Sequence, residues 1–325
     1  WQPATAPEAR RARARLNAGV RAFFADRGVL EVETPLWSRG APTDPAIESW
    51  QACSSAGICG YLQTSPEYPM KRLLAAGAGD IYQMARVFRA GEWGPRHNPE
   101  FTLLEWYRLG FDHGKLMDEV VALLLHLLPL LSQTQAQSQD GGAYPVRQVR
   151  YADLFHRHLQ LDPLTCTVEE CAQLARAHGM EMVGTLDRDA WLDALLTWVI
   201  LPHFPENAWT FIQDYPESQA ILARPCPDQP GYARRFELYW GTLELANGFH
   251  ELTDAAVFLE RQQRDIAKRQ ALGLEVPRLD EAFRQAMEAG LPACAGVALG
   301  MDRLLMRLLG YADLRQVIDF PWDRV

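Results

Sequence analysis

Phe88 to Arg108 reads FRAGEWGPRHNPEFTLLEWYR. Arg89 comes first, a turn-rich polar loop follows, then Arg96-His97-Asn98-Pro99. Phe101 to Tyr107 reads as a strand. The stretch predicts a strand–loop–strand unit carrying two arginines, an aromatic ring and an acid. Such a set suits an anionic, planar ligand such as a nucleotide better than it suits a structural hairpin.

The composition narrows the class of protein. At 325 residues the chain can hold one large domain or two ordinary ones, and 48% hydrophobic residues is normal for a globular core. No run of 18 apolar residues occurs, so no membrane span is predicted. Residues 1–15 are rich in Ala and Arg and lack an apolar signal-peptide core. Six cysteines stand at 53, 59, 166, 171, 226 and 294, none in a Cys-x-x-Cys pair. Reduced thiols in a cytosol are expected, and the chain is read as cytoplasmic. A net charge of −9 argues against general nucleic-acid binding, which needs a basic face for phosphates. Arg10, Arg11, Arg13 and Arg15 read most simply as a solvated helix face.

Outward from the opening stretch, Glu8 to Arg27 is a predicted helix with Leu16, Val20, Phe23 and Phe24 on one stripe and Gly28 as its stop. Val29 to Thr34 reads as a strand ending at Pro35. Pro66 to Ala76 is a second helix with Ser65 as its N-cap. Asp80 to Arg89 and Phe101 to Arg108 form a strand pair. Leu116 to Leu131 is helical, Ser132 to Tyr144 a Gln/Ser/Gly surface loop, and Tyr151 to Val199 mainly helical. Phe236 to Tyr239 and Leu243 to Ala246 form a hairpin about Trp240-Gly241. Thr253 to Leu272 is a polar helix, Ala295 to Leu299 a strand, and Met301 to Leu309 a helix. Strands flank helical segments without regular β-α-β alternation, so the fold class is α+β with an antiparallel sheet flanked by helices.

Four clusters carry chemistry. On the strand from Phe101 to Tyr107, Glu105 shares a face with Phe101, Leu103 and Tyr107. An unpaired buried carboxylate is costly, so Glu105 is expected at a sheet edge or against an arginine unless it serves a ligand. The second cluster holds Glu237, Glu244 and Glu251, spaced by seven. A turn at Trp240-Gly241 would make Glu237 and Glu244 direct cross-strand neighbours. These are either solvated glutamates or, beside a phosphate, ligands for Mg²⁺. His250-Glu251 begins like a zinc-protease motif, but no second histidine follows at the required position. The third is Gly296 to Arg303, a glycine-rich strand end with Arg303 in the first helical turn. The helix dipole disfavours a cation there, so this arginine reads as serving an anion or flat ring. The fourth is Thr64-Ser65-Pro66-Glu67-Tyr68, whose Glu67 is also explained by the dipole alone.

Together the clusters resemble the catalytic domain of class II aminoacyl-tRNA synthetases, most closely the lysyl type. Gly28 to Pro35 looks like motif 1, Arg89 to Tyr107 like motif 2, and Gly296 to Arg303 like motif 3. The class I signatures HIGH and KMSKS are absent. The chain starts close to the motif 1 helix, so no anticodon-binding domain is expected. The reading is one catalytic domain over residues 1–325 with a mainly helical insertion around 112–232. The blocks TSPEY, HNPEFTLLEWYR, ELANGFHELTD and GVALGMDR are similar to the elongation factor P–(R)-β-lysine ligase family.

The resemblance implies roles residue by residue. Arg89 would hold the α-phosphate of ATP, Phe101 would stack on adenine and Arg303 would cover its other face. Arg89 and Arg303 are thus the expected catalytic groups. Arg96 and His97 would approach the outer phosphates. Ala90, Gly91, Glu92, Asn98, Leu245 and Gly300 are further expected ATP contacts, with Glu237 and Glu244 on Mg²⁺. Glu105, Tyr107 and Asn247 would fix the amino acid, and Glu67 and Glu251 would receive its side-chain ammonium. Ser65, Pro66 and Ala298 would line its pocket. Ala298 stands where lysyl enzymes usually have glycine, and its methyl would favour a β-amino acid. Many relatives have Arg-Asn-Glu in motif 2, where this chain has Arg89-Ala90-Gly91 and then Glu92. Either Glu92 shifts inward or backbone atoms read adenine.

The implied activity is activation of (R)-β-lysine or lysine as an adenylate and transfer to a lysine of elongation factor P by a homodimer, without tRNA anticodon recognition. The competing readings are a truncated lysyl-tRNA synthetase paralogue and a non-catalytic amino-acid-binding regulator. A dead regulator should have lost Arg89, Arg303 or an acid of the Glu237–Glu244 pair, and all four are present.

Overall fold

A computed structural model describes residues 1–131, 144–181 and 186–325. The elements run α1 (Pro7–Ala25), β1 (Leu30–Glu31), β2 (Trp37–Ser38), β3 (Gln51–Cys53), β4 (Cys59–Leu62), α2 (Glu67–Ala75), β5 (Ile81–Phe88), β6 (Glu100–Leu109) and α3 (His113–Leu131). Next come β7 (Val146–Arg150), α4 (Tyr151–Leu159), α5 (Val168–Ala177), α6 (Arg188–Leu195), β8 (Trp209–Pro216), β9 (Tyr232–Trp240) and β10 (Leu243–His250). The chain ends with α7 (Ala255–Ala271), α8 (Glu281–Ala289), β11 (Cys294–Gly300) and α9 (Met301–Leu308). The surface loop expected at 132–144 lies outside the described residues except for Tyr144.

The elements fall into two compact units, Trp1–Gln137 with Leu252–Val325, and Ser138–Glu251. In the first, β5 and β6 pair antiparallel from Ile81–Tyr107 to Phe88–Glu100, and β11 pairs antiparallel on the far side of β6. β1 joins β5 in parallel, a departure from the all-antiparallel expectation. It is two residues long rather than the six predicted, although Val32 N–H still donates to the Tyr82 carbonyl at 2.9 Å. Helix α1 buries its predicted stripe, Leu16, Val20, Phe23 and Phe24. Phe24 stacks on Tyr82 of β5 and meets Trp106 of β6 edge-on. Gly28 has φ of +65°, the left-handed conformation that stops the helix with little strain for glycine.

The arginine cluster of α1 is not simply a solvated face. Arg13 forms an ion pair with the buried carboxylate of Asp302, and Arg10 reaches Asp319 at 3.3 Å. Arg15 donates to the Leu130 carbonyl, whereas Arg11 stays exposed beside Glu8. A helix face turned towards anionic groups elsewhere in the chain has the same composition as a solvated one. Cys53 and Cys59 form a disulfide, against the expectation of six reduced thiols. The β3–β4 pairing sets these two residues opposite each other, a proximity that a search for Cys-x-x-Cys misses. The other four cysteines are buried and form no disulfide among the described residues.

In the second unit β7 pairs parallel with β8, and β8, β9 and β10 run antiparallel. Helices α4, α5 and α6 bury Tyr151, Phe155, Cys171, Leu192 and Leu195 together with Ile212 and Tyr215 of β8. Thr167 and Glu170 form a reciprocal capping box at the start of α5. The segment 112–232 thus contains strands as well as the predicted helices.

Asp302 joins three elements of the first unit. One carboxylate oxygen takes Arg13 of α1, and the other accepts from the Thr102 N–H of β6 at 2.7 Å. Asp302→Ala strands a guanidinium and a backbone donor. It should cost about 3 kcal/mol or more in urea unfolding, with the m-value unchanged.

Candidate active site

Strands β5 and β6 carry the opening motif out to a loop closed by specific backbone bonds. The Arg89 N–H donates to the Pro99 carbonyl at 2.9 Å, and the Ala90 N–H to the Glu48 carbonyl at 2.9 Å. Gly91 turns the chain with φ of +77°, which only glycine adopts freely. The His97 N–H then donates to the Gly94 carbonyl at 3.2 Å. Asn98 donates to the Glu100 carbonyl at 2.6 Å and accepts from the Trp322 N–H at 3.1 Å.

The cationic groups gather on this loop. The Arg89 guanidinium donates to the Thr64 carbonyl at 3.3 Å and lies 5.2 Å from the centre of the Phe101 ring. Glu92 is 3.4 Å from Arg89 across the turn at Gly91. Arg303, in the first turn of α9, donates to the Arg96 carbonyl at 3.2 Å and contacts His97 Nε2 at 2.8 Å. Burial and the neighbouring Arg303 charge hold the His97 imidazole below its ordinary pKa, which favours the neutral ring. Arg89, Glu92, Arg96, His97, Phe101 and Arg303 thus come together as the sequence indicated. Gly300 forms the N-cap of α9.

Beside this cluster lies a buried acid. Glu105 is 2% exposed in the middle of β6, flanked by β5 and β11, and its partners correct the edge-or-arginine expectation. The Tyr107 hydroxyl donates to Oε1 at 2.5 Å and the Ser65 hydroxyl to Oε2 at 2.6 Å. Burial, with a further contribution from the Glu67 charge, pushes the Glu105 carboxyl up to about 7. Ser65 is not the helix N-cap, since Pro66 occupies that position. Its Oγ nonetheless accepts from the Glu67 N–H at 3.0 Å while donating to Glu105. Glu67 opens α2, and its Oε1 accepts from Lys71 Nζ at 2.5 Å. The dipole alone therefore does not account for Glu67. Ala298 pairs in register with Glu105 and packs against the cluster of Ala85, Val87 and Leu103. Gly296 faces Tyr107.

The remaining predicted residues belong to the second unit. The pairing there corrects the hairpin register. Leu243 pairs with Trp240, which puts the turn at Gly241-Thr242, and a bulge lies between Glu244 and Ala246. Glu237 therefore faces Asn247, and Glu244 faces Tyr239. The two acids are diagonal on one face rather than directly opposed. Glu237 is only 8% exposed, which rules out a freely solvated pair. Its carboxylate accepts from Tyr215 and Tyr239, each at 2.6 Å, and forms an ion pair with Arg235. Burial, opposed by Arg235 and reinforced by Glu244, raises its pKa. Arg235 also donates to Asn247 Oδ1 at 3.0 Å. Leu245 and Glu251 are buried. Two acids on one face suit a Mg²⁺ ion whose remaining positions are filled by water and by the phosphate oxygens of a nucleotide.

Lys71, Arg235, Tyr215 and Tyr239 were not among the predicted site residues. Three of them left a signal. Lys71 follows Glu67 by four positions in a helix, and Arg235 and Tyr239 stand two positions either side of Glu237 in a strand, spacings that put each group on one face. No comparable pattern marks Tyr215, whose approach depends on strand order.

Comparison with known proteins finds relatives along the whole chain. The family model described as tRNA synthetases class II (D, K and N) matches residues 5–324. Proteins named elongation factor P–(R)-beta-lysine ligase from Salmonella heidelberg, Salmonella agona and Salmonella typhimurium are each 43% identical to it over 331 aligned positions. Those alignments cover 100% of this chain and 98% of each relative. With that match along its length and the motif geometry in place, the chain belongs to the class II tRNA synthetase family of the D, K and N type.

Proposed function

We propose that this protein is an ATP-dependent ligase that activates (R)-β-lysine as an aminoacyl-adenylate and transfers it to a lysine side chain of elongation factor P. The observation that carries this reading is the buried Glu105, held by Ser65 and Tyr107 next to the carboxylate of Glu67. Two acids in one pocket select a cationic amino acid, whereas an acidic one would need a basic receptor. The full-length similarity to proteins named for this reaction supports the choice of acceptor over tRNA.

In the first step a carboxylate oxygen of the amino acid attacks the α-phosphorus of ATP. The bond to the β-phosphate breaks and pyrophosphate leaves. Arg89 stabilises the charge that develops on the α-phosphate, Phe101 and Arg303 sandwich adenine, and Arg96 and His97 meet the outer phosphates. Ala90, Gly91, Glu92, Asn98, Leu245 and Gly300 complete the nucleotide contacts in this reading. Mg²⁺, when bound, neutralises phosphate charge, and Glu237 and Glu244 are its proposed ligands. Glu105, Tyr107 and Asn247 fix the amino acid, while Glu67 and Glu251 receive its side-chain ammonium. Ser65, Pro66 and Ala298 shape the pocket, the methyl of Ala298 trimming it beside the amino group. In the second step the acceptor amine attacks the carbonyl carbon, AMP leaves, and the amine gives up a proton. No protein nucleophile is required.

A homodimer through the motif 1 region belongs to the same proposal. Leu30, Leu36 and Trp37 there are 55%, 42% and 46% exposed, a row of apolar side chains that a second copy could cover. Among the described residues no helix is long and apolar enough to cross a membrane.

Incubation with ATP, (R)-β-lysine and elongation factor P should raise the mass of the factor by one β-lysyl residue, and Arg89→Ala should abolish the shift. An unmodified factor alongside efficient charging of tRNA would instead favour the lysyl-tRNA synthetase paralogue. A pH dependence also follows from Glu105. Its carboxyl is neutral below about 7, so a substrate ammonium finds less negative charge there. The KM for the amino acid in pyrophosphate exchange should rise as pH falls through about 7. Glu105→Gln should raise KM throughout and flatten that limb.

A further inference from the structure

Lys71 has no part in the reaction just described, yet it is the most deeply buried ammonium near it. It is 1% exposed on α2, and its Nζ donates to Glu67 Oε1 at 2.5 Å. A buried ammonium is costly without a partner, and the i,i+4 spacing on one helix supplies that partner locally. The pair is asymmetric. Oε1 of Glu67 is taken, whereas Oε2 makes no hydrogen bond among the described residues, and the Glu67 side chain remains 20% exposed. The Glu67 backbone is fixed as well, through its N–H to Ser65 Oγ, and Ser65 continues to Glu105.

We propose that Lys71 is a positioning and specificity residue of the amino-acid pocket, leaving Glu67 a single oxygen with which to receive a substrate cation. A carboxylate with both oxygens open binds a guanidinium as a two-pronged fork, and this is the geometry in which arginine outbinds lysine. A carboxylate with one oxygen open offers a single acceptor, which suits the compact ammonium of a lysine-type substrate. Lys71 therefore discriminates against arginine without touching the substrate. Its positive charge has a second effect, since it opposes the protonation that burial favours at Glu105.

This inference rests on the reading of the pocket as a receptor for a lysine-type amino acid, and the test separates the two. Pyrophosphate exchange is measured with (R)-β-lysine, L-lysine and L-arginine for the wild type, Lys71→Met and Lys71→Gln. The wild type should exchange with a lysine-type substrate and scarcely with arginine. Lys71→Met opens Oε1, so the lysine-to-arginine ratio of kcat/KM should fall by about tenfold or more, mainly through KM. Lys71→Gln keeps a neutral donor for Oε1 and should retain more of that ratio. Both variants lose the charge near Glu105, so the acid limb of KM should move to higher pH in each. Should Lys71→Met not fold, Lys71→Gln alone decides through that limb. Wild-type exchange with an unchanged ratio and pH limb in the folded variants would overturn the role of Lys71 alone. Wild-type exchange with neither lysine would overturn the reading of the pocket as well.

Discussion

The carboxylate of Asp302 is the constraint on which the first unit depends. It stands in the first turn of α9, where the helix dipole favours an acid, and it is buried. Its two oxygens take Arg13 of α1 and the Thr102 N–H of β6. One side chain thus ties together α1, β6 and α9. Arg303 follows immediately, so its guanidinium emerges at a position fixed by that clasp, against the Arg96 carbonyl and His97. Were Asp302 mobile, Arg303 would be a surface cation at the wrong end of a helix.

The proposed amino-acid pocket follows a related logic. Glu105 lies in the middle of a strand, where a charge is expensive, and two hydroxyls and no cation hold it. It is consequently poised near neutrality. Ser65 links it to the start of α2, where Glu67 already bears the charge of Lys71. The pocket is therefore moderately and not maximally acidic. That balance is what a site needs if it is to bind a doubly ammonium-bearing substrate and still release its product.

Much of this was legible in the order of residues. Reading Phe101 to Tyr107 as a strand located β6 and put Glu105 on the face of Phe101 and Tyr107, and the stripe of α1 located its core-facing side. The ELANGFHELTD and GVALGMDR blocks carried the family resemblance, which the match over residues 5–324 bears out. What escaped depends on long-range geometry. Unless it served a ligand, Glu105 was expected at a sheet edge or near an arginine, because sequence cannot show that Ser65, forty positions earlier, approaches it. The register of Glu237 was misjudged because a bulge beside Leu245 shifts the pairing, and no residue type there announces it. Arg13 looked solvated because Asp302 is 289 positions away. The Cys53–Cys59 bond escaped because the six-residue separation signals nothing until the hairpin forms.

The central claim is that this pocket activates a lysine-type amino acid and, with Ala298 opposite Glu105, prefers the β-amino isomer. ATP–pyrophosphate exchange with (R)-β-lysine and L-lysine compared side by side tests it most directly. The account predicts exchange with a clearly higher kcat/KM for (R)-β-lysine. A preference for L-lysine, or no exchange with either, would contradict it.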